Sequence, residues 1–221
     1  MKYGDLTLGQ VEAPVNIIGG MDAAKAVLAG EKKIVLSGAK VSEPVGADWF
    51  SEVFHFYQEV FGKTVDFSGL VIPSDPGGYN WALPIIRGMT ANRAWAAAKK
   101  RFPCYSYVGD DLDRAVPTNE RTAEHGSYII RVRDRVEADR ELKNLSADKI
   151  REMNLVTMTL TERLLLELWY FWRTGKHLDI ENVTLCAGSR DSGGFVPCAW
   201  SGTVVGSTST GPFLPLWTTA C

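Results

Sequence analysis

The hydrophobic positions recur at helical spacing in two long stretches. In DWFSEVFHFYQEVF (48–61), Trp49, Phe50, Val53, Phe54, Tyr57, Val60 and Phe61 fall on one side of a 3.6-residue repeat. Asp48 can cap the start of that helix and Gly62 can end it. In the second stretch, Leu160 to Arg173, the residues Leu164, Leu165, Leu168, Trp169 and Trp172 form a wide apolar face, closed by Gly175. Thr159-Leu-Thr-Glu162 reads as a capping box: the Thr159 hydroxyl accepts from an early N–H and Glu162 reaches back. TANRAWAAAKKRF (90–102) predicts an Ala-rich helix with cations at its C-terminal end, stopped by Pro103. Shorter helices are expected from Asp22 to Gly30, after an extended VNIIGG, and from Ala147, capped by Ser146.

Strand patterns occur at 64–72, 104–108, 127–132 and 182–186. SDPGGYN (74–80) and the polar stretch 108–126 read as loops. From Arg131 to Lys143, nine of thirteen residues are charged with mixed signs, which predicts a solvated face with local ion pairs. Helices and strands are both expected, in keeping with an α+β domain.

A chain of 221 residues with 45% apolar content and seven Trp has ample material for one core. The reading is a single domain over 1–221. Its net charge of −2 gives no basic excess, which argues against nucleic acid as a partner. The opening MKYGDLTLGQVE places Asp5 and Glu12 where a signal peptide would be uncharged. No run approaches the roughly 20 apolar residues of a membrane span. The expectation is a soluble chain without membrane insertion; its compartment is not specified.

Charge is distributed unevenly. From Cys186 to Cys221 the only charged side chains are Arg190 and Asp191. The same segment holds six Gly, five Ser and five Thr, with Phe195, Trp200, Phe213 and Trp217 among them. Short hydroxyl residues beside rigid aromatics suit a recognition surface, because they combine adaptable hydrogen bonding with low entropic cost. Val196–Trp200 and Thr203–Val205 read as strand pieces joined at Ser201-Gly202, with Pro197 at an edge or irregular position. Residues 201–211 contain only two large apolar side chains, which favours an exposed surface over a buried hairpin. Residues 1–185 are then a scaffold and 186–221 a ligand-binding segment.

Candidate chemistry is sparse. No HExxH, GxSxG, GxGxxG or P-loop pattern occurs. His55 falls within an aromatic helix, His125 in a polar loop, and His177 after a helix C-terminus, where a cation is favoured without catalysis. Asp110, Asp111 and Asp113 lack EF-hand spacing and read as a solvated acidic loop. Cys104, Cys186, Cys198 and Cys221 form no CxxC pair. Cys186 and Cys198 bracket a Gly/Ser loop, either as a disulfide or as two buried thiols. The expectation is a non-enzyme with no cofactor and no metal.

ERLLLELWYF (162–171), TGKHLDIENVTLC (174–186), GSR (188–190) and GFVPC (194–198) resemble the variable proteins of diversity-generating retroelements. The likeness is to the lineage of uncultured archaea and candidate-phylum bacteria, and it covers roughly Ser127 to Trp200. It implies a C-type-lectin-like fold of the formylglycine-generating-enzyme subtype, with a small, irregular, mostly antiparallel sheet and at least two helices. It also implies ligand binding rather than oxidase or lyase activity, toward an unknown protein or glycan. Adenine-directed mutagenesis would rewrite codons near the gene's 3′ end. Family variation after GSR and around GFVPC falls here on Asp191, Ser192 and Phe195. Trp200, Ser201, Thr203, Ser207, Ser209 and Thr210 are added for their expected exposure and chemistry. The Gly-Phe-Arg ending of formylglycine-type domains is absent. Two rival readings are an oxidase of the formylglycine-generating type using Cys186 or Cys198, and a viral structural or attachment protein.

Overall fold

A computed structural model describes residues 47–201 and the backbone of the strand at 214–219. The helix expected at Asp22–Gly30, the extended VNIIGG before it and the strand piece Thr203–Val205 lie outside the described residues. In chain order the described elements are α1 (Ala47–Phe61), β1 (Trp81–Ile85), α2 (Ala91–Lys99), β2 (Cys104–Ser106), α3 (Leu112–Ala115), β3 (Thr118–Asn119) and β4 (Tyr128–Val132). They continue as α4 (Ala147–Glu152), α5 (Leu160–Thr174), β5 (Thr184–Leu185), β6 (Ser189–Arg190), β7 (Val196–Ala199) and β8 (Leu214–Thr219). A single 3-10 turn spans Arg140–Leu142. The described fold is α+β, with three small sheets: β1-β4, β3-β6 and β2-β8-β7-β5. Every ladder is antiparallel except β2 with β8, which is parallel.

α5 is the central element. From Leu160 to Tyr170 every side chain except that of Thr161 is buried, including the ionisable Glu162, Arg163 and Glu167. The expected capping box is present, and Gly175 ends the helix at φ 67°, a left-handed conformation that glycine adopts without a Cβ penalty. α1 starts and stops where its periodicity predicts. It buries Trp49, Val53, Phe56, Tyr57 and Val60, while Phe50 turns to solvent. Thr90 caps α2 by accepting from Arg93 N–H. α2 buries Ala94, Trp95 and Ala98, and together with α1, α5, β1 and β4 builds the main core.

Three local expectations fail for identifiable reasons, and one strand forms where none was expected. TVDFSGLVI (64–72) forms no strand; no neighbouring strand pairs with it, and its apolar Val65 and Ile72 pin an irregular segment to the core. Conversely, WALPI becomes β1 despite Pro84. The Ala82 and Pro84 carbonyls turn away from β4 to accept from Trp49 Nε1 and the Tyr57 hydroxyl, so the missing Pro84 N–H falls on the side that pairs with no strand. The polar stretch 108–126 contains α3, capped by Asp111, and β3, held by β6. The strand expected at 182–186 contracts to β5. The charged run 131–143 forms the expected ion pairs. Arg135 grips Glu141 at 2.7 and 2.9 Å, and Arg133 reaches Asp139 at 3.3 Å.

Candidate functional site

Beneath the C-terminal sheet lies a buried ionic network built from residues scattered over the sequence. Arg163, on α5 and 1% exposed, donates to Asp179 Oδ2 from Nε (3.0 Å) and Nη2 (2.7 Å), and to Glu167 Oε2 from Nη1 (3.0 Å). His177 Nδ1 stands 2.7 Å from Glu167 Oε1; a carboxylate only accepts, so Nδ1 carries the proton. The Thr184 hydroxyl donates to Asp179 Oδ2 at 2.6 Å. Burial alone pulls the Arg163 guanidinium down. Asp179 and Glu167 more than reverse this and hold it firmly protonated. His177 is therefore a buried network member rather than the helix C-terminal cap expected from its position.

A second network fixes the entry to α5. Glu162 accepts from Arg121 Nε (2.9 Å) and Nη2 (2.8 Å), from the Tyr128 hydroxyl (2.9 Å) and from Thr159 N–H (2.7 Å). Ser189 Oγ accepts from Leu160 N–H at 2.9 Å and donates to Asn119 Oδ1 at 2.5 Å. The GSR triplet thereby satisfies a helix-terminal donor that has no partner within the helix. Its Gly188 lies against bare backbone: a Cβ there would meet the Thr157 carbonyl at 2.9 Å.

The candidate surface rises from this base. Arg190 is held by the Ala187 and Ser189 carbonyls at 2.6 and 2.7 Å. The next five residues form a self-held turn. Asp191 Oδ1 accepts from Gly193 N–H and Phe195 N–H, both at 2.8 Å, and Gly194 takes φ 85°. Asp191, read as a contact residue, is the turn's internal brace. Ser192 is exposed at the tip and Phe195 is 47% exposed, as a recognition role requires. Trp200 is half-buried. Ser201 corrects the expectation of an exposed hydroxyl. It is 1% exposed, donates from N–H to the Asp179 carbonyl (2.9 Å), and its Oγ stands 3.5 Å from Glu167 Oε1, so it belongs to the buried network.

β7 pairs with β8 on one side and β5 on the other. Pro197 thus sits in an interior strand. Its carbonyl accepts from Cys186 N–H (2.8 Å), and the Cys186 carbonyl that would have met an N–H at 197 accepts from Ser189 N–H (2.9 Å) instead. Thr203, Ser207, Ser209 and Thr210 lie outside the described residues. Val196 pairs with Thr219 and Ala199 with Leu216, so Ala199 and Trp200 lie at the end of β7 opposite Phe195. Ser192 and Phe195 are therefore one cluster, and the end of β7 is another location.

Tyr105 and Tyr107 were not singled out by the sequence pattern. They are about half exposed, stacked edge to face at 4.7 Å, and Tyr105 lies on β2, which pairs with β8. Continuing the β2–β8 register by one residue brings Tyr107 level with Trp217, which pairs with Cys198. Phe195 precedes Cys198 by three residues, so it lies two strand spacings from Tyr107 and about 10 Å further along the strands, while Tyr105 is level with the Trp200 end of β7. Alternation within a three-residue strand is too short to reveal such a pair.

Cys186 and Cys198 are both buried, and no disulfide joins them to each other. Burial pushes the Cys104 thiol up to about 12 and moves Cys186 up as well. At pH 8 the thiolate fraction of Cys104 is about 10⁻⁴, against roughly a quarter for an exposed thiol. Native protein is therefore expected to react with iodoacetamide at Cys104 and Cys186 at least 100-fold more slowly than urea-unfolded protein; equal rates, read by peptide mass spectrometry, would contradict this burial.

Among the described residues, no group of three or more His, Cys, Asp or Glu is placed to hold a metal ion, and no helix is long and apolar enough to cross a membrane. No family model, curated protein or solved structure matches the chain.

Proposed function

We propose that this protein is a ligand-binding scaffold of C-type-lectin type, whose C-terminal surface is diversified by retroelement mutagenesis to recognise varied partners. The observation that carries the reading is the juxtaposition at residues 189–195. Ser189 is locked into the entry of α5, yet three residues further on Ser192 is exposed at the tip of a turn that closes on itself. Such a turn tolerates new side chains at 192 and 195, because the Asp191 brace and the left-handed Gly194 carry its shape. Phe195 supplies a rigid apolar anchor and Ser192 supplies adaptable hydrogen bonding. The residues of the resemblance support this division of labour: Glu162, Arg163, Glu167, His177, Asp179 and Ser189 all lie in the buried networks below.

The test is a display library randomised at Ser192, Phe195, Thr203, Ser207, Ser209 and Thr210. Most members are expected to stay folded, with single substitutions at 192 and 195 changing stability by no more than about 0.5 kcal/mol. Binders to unrelated protein baits are expected to emerge from it. A library that unfolds on randomisation, or that folds and yields no binder, would defeat the proposal.

A further inference from the structure

Within the charged run 131–143, Glu137 behaves unlike its neighbours. Asp139 and Glu141 pair with Arg133 and Arg135. Glu137 instead accepts from the main-chain N–H groups of Ile180 (3.0 Å), Glu181 (3.2 Å) and Asn182 (3.0 Å), and from Asn182 Nδ2 (2.9 Å). Successive N–H groups that converge on one anion form a nest. Partial burial pushes the Glu137 carboxyl up, but these hydrogen bonds outweigh it and hold the group below the usual carboxylate range.

The turn held in this way brackets Trp200. On one side of Trp200, Ala199 pairs with Thr184 between β7 and β5. On the other, Ser201 N–H donates to the Asp179 carbonyl at 2.9 Å. Residues 180–182 lie between these two supports, and Glu137 grips the chain there. Asp179 N–H is tied to the same loop, through the Val136 carbonyl at 2.8 Å. Asp179 takes φ 52°; the other described non-glycine residues with positive φ, Asn144 and Asn154, are exposed, whereas Asp179 is 2% exposed. A buried residue keeps such a conformation only where its surroundings over-determine it. Here Arg163 and Thr184 fix the carboxylate, and Val136 and Ser201 fix the main chain.

Resting on the proposed function, in which the C-terminal surface binds, we infer that Glu137 is a positioning residue for the Trp200 end of that surface. It acts through the 179–182 turn and touches no ligand itself. Without its carboxylate, three adjacent N–H groups lose their acceptor. The segment that supports Ala199 and Ser201 on either side of Trp200 then loosens, while the contacts of Arg163 with Glu167 and Asp179 stay whole. Phe195 lies at the opposite end of β7 and does not depend on this turn.

The experiment compares the full chain with its Glu137→Ala variant by amide exchange followed by NMR. In the parent, the Ile180, Glu181 and Asn182 amides are expected to exchange slowly although all three residues are exposed. In the variant they are expected to exchange faster, and the Ser201 amide about 10-fold faster, relative to the Leu165 amide in the middle of α5. A merely structural role would speed Ser201 and Leu165 by the same factor, and that result would overturn the inference. Fast exchange at 180–182 in the parent would overturn it too, even if the variant did not fold. The binding arm uses members of the display library that hold a protein bait. Those weakened by Trp200→Ala are expected to weaken roughly 10-fold on Glu137→Ala, and those indifferent to Trp200→Ala by at most about 2-fold. Equal losses in both groups would contradict the positioning role. A library without binders would count against the proposed function, and the exchange ratio would then decide the role of Glu137.

Discussion

Replacing Arg163 with alanine is expected to lower the unfolding free energy by about 3–5 kcal/mol, the usual cost of removing one partner from a buried ion pair. The side chain is 1% exposed and bridges Glu167 and Asp179, which are themselves buried. Its loss leaves two carboxylates in the core without the guanidinium that pairs them. It also removes a long stem packed within the centre of α5, so a cavity adds to the electrostatic loss. With a urea slope of about 2 kcal/mol/M, the midpoint should fall by about 1.5–2.5 M. Arg163→Lys should recover only part of this, because one ammonium cannot reproduce the three directed contacts of the guanidinium. A midpoint within 0.5 M of the parent for Arg163→Ala would mean that the network does not hold the domain together.

The second large effect belongs to Glu162. Glu162→Ala removes one carboxylate and strands four donors: two from Arg121, one from Tyr128 and the N–H of Thr159. The expected cost is about 3–5 kcal/mol for the broken buried pair, and the capping loss of about 1 kcal/mol is contained within it. Glu162→Gln keeps the shape and two acceptor lone pairs, so it should cost distinctly less. The measurement is again urea denaturation, with far-ultraviolet circular dichroism at the α5-rich signal. If alanine and glutamine cost the same, the carboxylate charge is not what Arg121 and Tyr128 recognise.

Both predictions concern residues whose role was only half legible in the sequence. The local signals translated directly. Thr159 and Glu162 spelled a capping box that forms, Ser146 capped α4, and of the expected apolar face of α1 Trp49, Val53, Tyr57 and Val60 are buried, while Phe50 is exposed and Phe56, outside that face, is buried instead. What failed was what depends on distant partners. Glu162 reads as a cap but also anchors Arg121, 41 residues earlier. Arg163 and Glu167 look like ordinary helix charges, and only Asp179 and His177 explain their burial. Pro197 was expected at an edge or irregular position yet sits in an interior strand, because the Cys186 carbonyl that would have met an N–H there is taken by Ser189. The parallel pairing of β2 with β8 joins segments more than a hundred residues apart, and no local period encodes it.

The candidate surface shows the same limit. Ser192 and Phe195 were legible because a charge-poor, glycine-rich turn exposes its tip. Ser201 shares their composition and sits in the core, since hydroxyl chemistry alone does not distinguish a solvated contact from a buried hydrogen-bonding partner. Asp191 acts through its own backbone rather than outward.

The measurement that tests the central claim most directly is deep sequencing of the 3′ end of this gene across its source population. If the C-terminal surface is diversified, the codons for Ser192 and Phe195 and for positions within 203–210 vary at adenine-derived sites, while those for Glu162, Arg163, Glu167, Asp179, Gly188 and Ser201 stay fixed. A 3′ end as constant as the first 185 codons would contradict the account and leave the uncharged segment to be explained by packing alone.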